Sequence, residues 1–308
     1  MYINFMTDEN KNIYIQYWLF LSTFLVALMI IVGGLTRLTD SGLSITNWEL
    51  FSGILPPFSL NDWNHFFSLY QQIPEYKLVN SSMTLEEFKI IYWWEYSHRL
   101  LGRIIALFYI IPLVYFTYKK RMNKNSLIYY YLIFFLIFFQ GLIGWYMVES
   151  GLSERIDVSH YRLSLHLTLA FVIFVLLFWN YLKYKTHQDY NSYRKLPFYL
   201  PVFLICLIFL QIIIGAFVSG LDAGQIYQSW PLMNKSYFPN DSNLNDLFSL
   251  NFFNTPSLVQ FVPCFGHLVW LVRPQFASSD PRLQDRVHPH LRALKQLGSF
   301  LHGLSSDW

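Results

Sequence analysis

Glu95, His98, Arg99 and Arg103 stand together at the start of a long apolar run, in the string Trp-Trp-Glu-Tyr-Ser-His-Arg-Leu-Leu-Gly-Arg at 93–103. A second histidine, His166, follows Arg162 by one helical turn in a later apolar run. Ionisable groups in hydrocarbon cost several kcal/mol each, so groups kept there mark function and need partners. Counted from run starts near 91 and 160, His98 lies about seven residues in, roughly 10 Å, and His166 about six, roughly 9 Å. Two imidazoles at one depth on different helices of a bundle suit the two axial positions of a haem iron.

The neighbours of the two histidines extend that chemistry. Glu95 precedes His98 by three residues and Arg99 by four. It therefore shares their helix face and can pair with the guanidinium or address the edge of a bound group. Arg99, Arg103 and Arg162 offer planar forks suited to carboxylates such as haem propionates. Gly102, one turn after His98, leaves open space where a macrocycle could lie. Blander roles compete: a structural ion pair for Glu95 with Arg99 or Arg103, and a hydrogen-bonded bundle histidine for His166. His65, His160 and His187 read as loop residues and His288, His290 and His302 as tail residues, all without a role. Trp93 and Trp94 read as an interfacial belt, and Gly33 and Gly34 as sites of close helix packing.

The elements that position these groups must be membrane helices. Of the 308 residues, 54% are hydrophobic, 20% aromatic and 13% charged, too apolar for a soluble domain. A crossing takes about 20 residues of helix. Five charge-poor runs meet that length, at 16–36, 91–118, 127–148, 162–182 and 197–219, with a shorter, flawed sixth near 256–272. The expected fold is an all-α polytopic membrane protein. Basic residues accumulate in cytoplasmic loops. Lys119, Lys120, Arg121 and Lys124 mark one such loop, and Lys183, Lys185, Arg194 and Lys195 another. The remaining connections carry most of the acids, so the N-terminus is expected inside and His98 and His166 near the outer face.

The first apolar run lacks a small-residue cleavage pattern and reads as an anchor that stays, and the N-terminus, with Asp8 and Glu9, does not resemble a mitochondrial transit peptide. A bacterial inner (plasma) membrane, multi-pass, is the expected location. The net charge of +3 reflects anchoring bases and indicates no nucleic-acid surface. Only Cys206 and Cys264 are present, with Cys206 in mid-helix, so a structural disulfide is not expected.

The chain also repeats itself. Residues 33–50 align without gaps against 215–232, matching Gly33 with Gly215, Asp40 with Asp222, Gly42 with Gly224, Trp48 with Trp230 and Leu50 with Leu232. Both copies end a helix of the same orientation, as in a parallel duplication about an axis along the membrane normal. The expected organisation is a cytoplasmic N-terminus at 1–15, a complete four-helix repeat at 16–182, a cytoplasmic linker at 183–196 and a partial second repeat at 197–261. Residues 262–308 lack Ile, Asn and Tyr and hold one lysine, Lys295, so they read as an aberrant tail from a frameshift, fusion or assembly error, with a genuine cytoplasmic tail as the alternative. Aligning the helix after each loop places Gln260 on Glu95 and Pro263 on His98. His267, one turn on, is the remaining candidate for a substitute ligand.

Four strings together resemble the haem A synthase family over about residues 15–261: Gly-Gly-Leu-Thr-Arg-Leu-Thr-Asp-Ser-Gly-Leu-Ser at 33–44, Glu-Tyr-Ser-His-Arg-Leu-Leu-Gly-Arg at 95–103, Tyr-Arg-Leu-Ser-Leu-His-Leu at 161–167, and Gly-Leu-Asp-Ala-Gly with Trp-Pro-Leu-Met at 220–233. The resemblance implies eight helices in two pseudo-symmetric halves, each with a histidine pair. It implies oxidation of the C8 methyl group of haem O to the formyl group of haem A for terminal oxidases. One half would hold a haem b cofactor and the N-terminal half would admit haem O as substrate. His98 and His166 would then hold the substrate iron. Glu95 would be the catalytic carboxylate, stabilising positive charge at the oxidised carbon or handling the proton. Haem O synthase and terminal oxidase assembly factors are the implied partners, within membrane lipid. Pro263 departs from this pattern and the last two helices are missing, so this chain is expected to be impaired. Two other readings stay open: a bis-histidine haem b electron-transfer subunit, in which Glu95 is incidental, and a non-catalytic membrane fragment. A transporter lacks support, since no broken-helix polar site is present.

Overall fold

The structure is a computed structural model that describes residues 13–47, 55–152, 155–185, 199–229, 232–236 and 238–263. Trp48, Leu50, Trp230, His187, Arg194, Lys195, His267 and the tail from Cys264 onward lie outside the described residues. Among the described residues the ordered elements are helices, with no strand. They are α1 (Ile13–Leu38), α2 (Leu60–Tyr70), α3 (Pro74–Leu78), α4 (Leu85–Tyr118), α5 (Lys124–Leu152), α6 (His160–Lys185) and α7 (Tyr199–Gly220). All but α2 and α3 are long and apolar enough to cross a membrane. In lipid a helix satisfies its own backbone groups, which makes it the element such runs must adopt. The protein is a multi-pass α-helical membrane protein. The sixth run is helical over 256–263, and its continuation lies outside the described residues.

The largest difference from the sequence-based boundaries is at α4. It starts at Leu85 rather than 91, because Thr84 and Glu87 form a reciprocal capping box that satisfies the first free N–H groups. At 34 residues α4 is about 51 Å long, well beyond a hydrocarbon core of about 30 Å. Its added first turns carry α2, which packs against α4 through Phe67, Tyr70 and Phe88.

The chain divides into two compact units, 1–224 and 225–308. In the first, α1 packs on α4 and α6, and α5 packs on the same two, closing a four-helix bundle, while α7 lies against α6. One buried cluster fills the bundle, including Trp18, Leu19, Tyr109, Leu113, Phe116, Tyr130 and Leu177. A second gathers at the bundle end nearer Glu95, where Leu43, Ile45, Trp63, Tyr70, Ile73, Phe88 and Tyr96 join the loop after α1 to α2 and α4. In the second unit, 3₁₀ turns at Leu244–Phe248 and Leu250–Asn254 precede the helical run at 256–263, where Leu258 and Val259 are fully buried.

The repeat has a structural signature. Asp40 and Asp222, at the matched ends of α1 and α7, both take the left-handed backbone conformation, with φ of 47° and 49°. Aspartate tolerates that region better than most residues. Arg37 serves both copies, donating from Nη1 to Asp40 Oδ1 at 2.7 Å and from Nη2 to Asp222 Oδ1 at 2.7 Å and the Ser219 carbonyl at 2.9 Å. Ser219 is the residue that aligns with Arg37 in the second copy. Burial raises the Asp157 carboxyl above the ordinary range, against the pull of Arg37 at 3.8 Å.

Glu75 on α3 is an ionisable group whose burial has a measurable consequence. It is 6% exposed, accepts a hydrogen bond from Tyr70 Oη at 3.2 Å and leaves Oε2 without a partner. Burial pushes its carboxyl up to about 8, with Glu95, Asp157 and Asp40 adding to the shift and Tyr70 opposing it. The folded state therefore favours the protonated form. Stability from this group is complete below the unfolded value of 4.5, falls as pH rises and is lost above about 8. Glu75→Gln should remove that loss, stabilising the region around α3 by a few kcal/mol at pH 9 and by little at pH 4. Amide exchange of residues 70–80 at the two pH values measures the difference, and equal protection in both proteins at pH 9 contradicts it.

Candidate functional site

Glu95 is the most firmly held group of the sequence-derived set. It is 2% exposed, and both its oxygens are engaged. Oε2 accepts from Ser44 Oγ at 2.7 Å and from the Ile45 backbone N–H at 2.8 Å. Oε1 accepts from Arg99 Nε at 3.0 Å and from Arg99 Nη2. The same Nη2 donates to the Ile45 carbonyl at 2.9 Å. The four-residue spacing of Glu95 and Arg99 on α4 does produce an ion pair, and the pair grips the chain just after α1. A carboxyl group with donors on both oxygens is held in one orientation.

The second unit repeats this clamp with neutral parts. Gln260 Oε1 accepts from the Tyr227 backbone N–H at 3.2 Å, and Gln260 Nε2 donates to the Tyr227 carbonyl at 2.7 Å. Tyr227 aligns with Ile45 under the register that matches Asp40 with Asp222, and Gln260 aligns with Glu95. Gln260, which aligns with Glu95, thus meets the residue that aligns with Ile45, and three residues on Pro263 aligns with His98.

His98 and His166 are half-buried on α4 and α6. Each ring is seated beside a glycine of the preceding long helix. A Cβ on Gly33 of α1 would come within 3.2 Å of His98 Nε2, and one on Gly144 of α5 within 3.1 Å of His166 Cε1. The room at Gly33 is thus taken by an imidazole rather than by a helix backbone, while Gly34 has nothing within 4 Å. The space beside Gly102 is also not open: the Met29 methyl would lie 3.3 Å from a Cβ there. Methionine is flexible and can vacate such a gap.

The arginines are placed differently from one another. Arg99 is committed to Glu95, with 11% of its side chain exposed. Arg162 lies over the Tyr146 ring at 3.7 Å and donates to the Tyr146 carbonyl at 2.6 Å. Arg103 is half-buried one turn beyond Arg99. Among the described residues no three His, Cys, Asp or Glu side chains gather as a protein metal cage requires. The donor set is a pair of imidazoles, which fits a metal that brings its own equatorial ligands.

Two histidines read as loop residues are in helices. His65 is exposed on α2. His160 is the first residue of α6, 5% exposed, with its ring 4.4 Å from that of Tyr161 and 5.6 Å from that of Phe217. It marks a close approach of α6 and α7, since a Cβ on Gly220 would fall 2.7 Å from His160 Cβ. Sequence reasoning also passed over Gln140. This residue lies on α5 with Nε2 3.2 Å from His166 Nδ1. Its signal was a polar amide inside a charge-free run, one turn before Gly144 and on the same helix face.

A family model described as cytochrome oxidase assembly protein (COX15-CtaA) matches residues 16–277. The chain is 52% identical over 260 residues to the heme A synthase of Pelagibacter ubique, an alignment covering 84% of this chain and 76% of that protein. It is 48% identical to the heme A synthase of Maricaulis maris, covering 75% and 68%, and 44% identical to that of Rickettsia felis, covering 83% and 77%. No solved structure matches the chain.

Proposed function

Since the chain belongs to the COX15-CtaA family of cytochrome oxidase assembly proteins, we propose that it is a haem A synthase, an oxidoreductase converting the C8 methyl group of haem O to the formyl group of haem A. The observation that carries the reading is a pair of half-buried imidazoles, each beside a glycine, with a doubly engaged carboxylate one turn away on the same helix as His98. His98 and His166 hold the substrate through its iron. Arg103 and Arg162 are the cations offered to its propionates, and Arg99 pairs with Glu95.

Oxidation of a ring methyl withdraws electrons from that carbon and develops positive charge on it. A preorganised negative charge beside the carbon lowers the energy of that state. Glu95 is built for this part. Its four hydrogen bonds leave no oxygen idle, so the electrostatic role is better supported than proton transfer. Met29 yields the space beside Gly102 to the macrocycle. A haem b in the second half does not fit the described residues, because Pro263 stands where His98 does and a proline side chain carries no metal donor. This supports the reading that the chain binds haem O but turns it over poorly.

The chain works in the bacterial plasma membrane with its N-terminus in the cytoplasm. Support comes from the turn between α4 and α5, which holds Lys119, Lys120 and Arg121 and no acid. Haem O synthase would deliver the substrate, and terminal oxidase assembly factors would receive the product. The test is pigment extraction from the full chain purified in detergent from cells that make haem O. Haem O, with at most a trace of its oxidised derivatives, is the expected pigment. Haem b alone would favour an electron-transfer subunit, and no haem at all a non-catalytic fragment.

A further inference from the structure

We propose that Gln140 is a positioning residue that decides which nitrogen of His166 carries the proton, and through it whether His166 can bind the substrate iron. The inference rests on the reading of His166 as a ligand. Gln140 Nε2 donates to the His166 carbonyl at 2.9 Å and lies 3.2 Å from His166 Nδ1. An amide nitrogen is a donor only, so Nδ1 must present its lone pair to it. That places the imidazole proton on Nε2. In this tautomer Nε2 has no lone pair for a metal.

The other end of the same amide is poorly served by its surroundings. Gln140 Oε1 is buried and has no hydrogen-bond partner, which is an unfavourable state for a carbonyl oxygen. For His166 to offer Nε2 to a metal, the amide must leave the His166 carbonyl and turn Oε1 to the ring. Oε1 then accepts from Nδ1–H, the proton sits on Nδ1, and the Nε2 lone pair is free for iron. The His166 carbonyl loses the amide but keeps the N–H four residues on in α6, as any helical carbonyl does. The ligand-free arrangement therefore holds His166 closed to metal, and ligation and amide rotation go together. His98 makes no side-chain hydrogen bond among the described residues and carries no such constraint. The two axial ligands are unequal: His98 is free to engage first, and His166 completes the pair once Gln140 has turned.

The experiment uses the full chain in detergent, loaded with haem O, in three variants. Q140L keeps the size and removes the amide, Q140E leaves only acceptors facing Nδ1, and H166A removes the ligand. Outer partners of metal-bound histidines are worth about 10- to 100-fold in affinity, so Q140L should retain haem O that much more weakly and lose the low-spin, six-coordinate absorption spectrum. Q140E should keep the low-spin spectrum and lower the midpoint potential of the haem, because a carboxylate makes the imidazole a stronger donor. Wild-type spectrum and potential in both glutamine variants, with the low-spin form lost in H166A, overturn the role of Gln140 alone. Retention of the low-spin form in H166A overturns the ligand reading itself. Should Q140L fail to fold, the Q140E potential decides, and no change in it counts against the proposal.

Discussion

His98→Ala and His166→Ala should each empty the substrate site, cutting haem O retained by the purified protein at least tenfold and abolishing the low-spin spectrum. The expectation follows from what holds the group. A porphyrin between helices gains hydrophobic contact from any apolar bundle, so burial alone does not specify a site. The axial bonds do that. Alanine at either position also leaves the space beside Gly33 or Gly144 without its ring, and a gap of that kind costs contact energy without restoring a ligand. His65→Ala is the matched control, since that imidazole is exposed on α2. The haem-to-protein ratio and the Soret band of the three variants make the measurement. Full haem content in either ligand variant, with the control unchanged, removes the basis for a bis-histidine site.

The parts of the fold written in local pattern were legible. Charge-poor runs marked five spans, and each has its helix. The start of α4 was misplaced because hydropathy sees only lipid-facing turns, whereas Thr84 and Glu87 begin the helix in a polar segment by capping. The Glu95 and Arg99 pairing could be read from a four-residue spacing on one helix. The grip of that pair on Ser44 and Ile45 could not, since those residues are fifty positions away and their hydrogen bonds use backbone groups that look alike in every sequence. Gly33 and Gly102 show the limit of reading small residues. A glycine announces that room exists without saying whether a helix, an imidazole or a methionine methyl fills it. Asp40 and Asp222, matched when the two copies are aligned, share a left-handed backbone and one arginine, neither of which their identity alone specifies.

Glu95→Gln should leave haem O bound and lower its oxidation by about 10²- to 10³-fold, the usual effect of removing one preorganised charge partner. The molecule contains its own control for the structural half of that statement. Gln260 performs the same clamp on Tyr227 that Glu95 and Arg99 perform on Ile45, with an amide in place of a carboxylate. Holding the loop therefore does not require a charge, and the charge kept at 95 in the first unit has to be explained by something else. Oxidation of a carbon beside it is such an explanation. Glu95→Ala is a different experiment, because it strands Arg99, whose side chain is 11% exposed. Breaking a buried pair from one side typically costs about 3–5 kcal/mol, so that variant should lose stability and haem together. The comparison is best made in a form of the protein supplied with both second-half haem ligands, so that turnover is measurable. Equal oxidation rates with and without the Glu95→Gln substitution in that background, with haem retained in both proteins, would assign the carboxylate to the clamp alone and take it out of the chemistry.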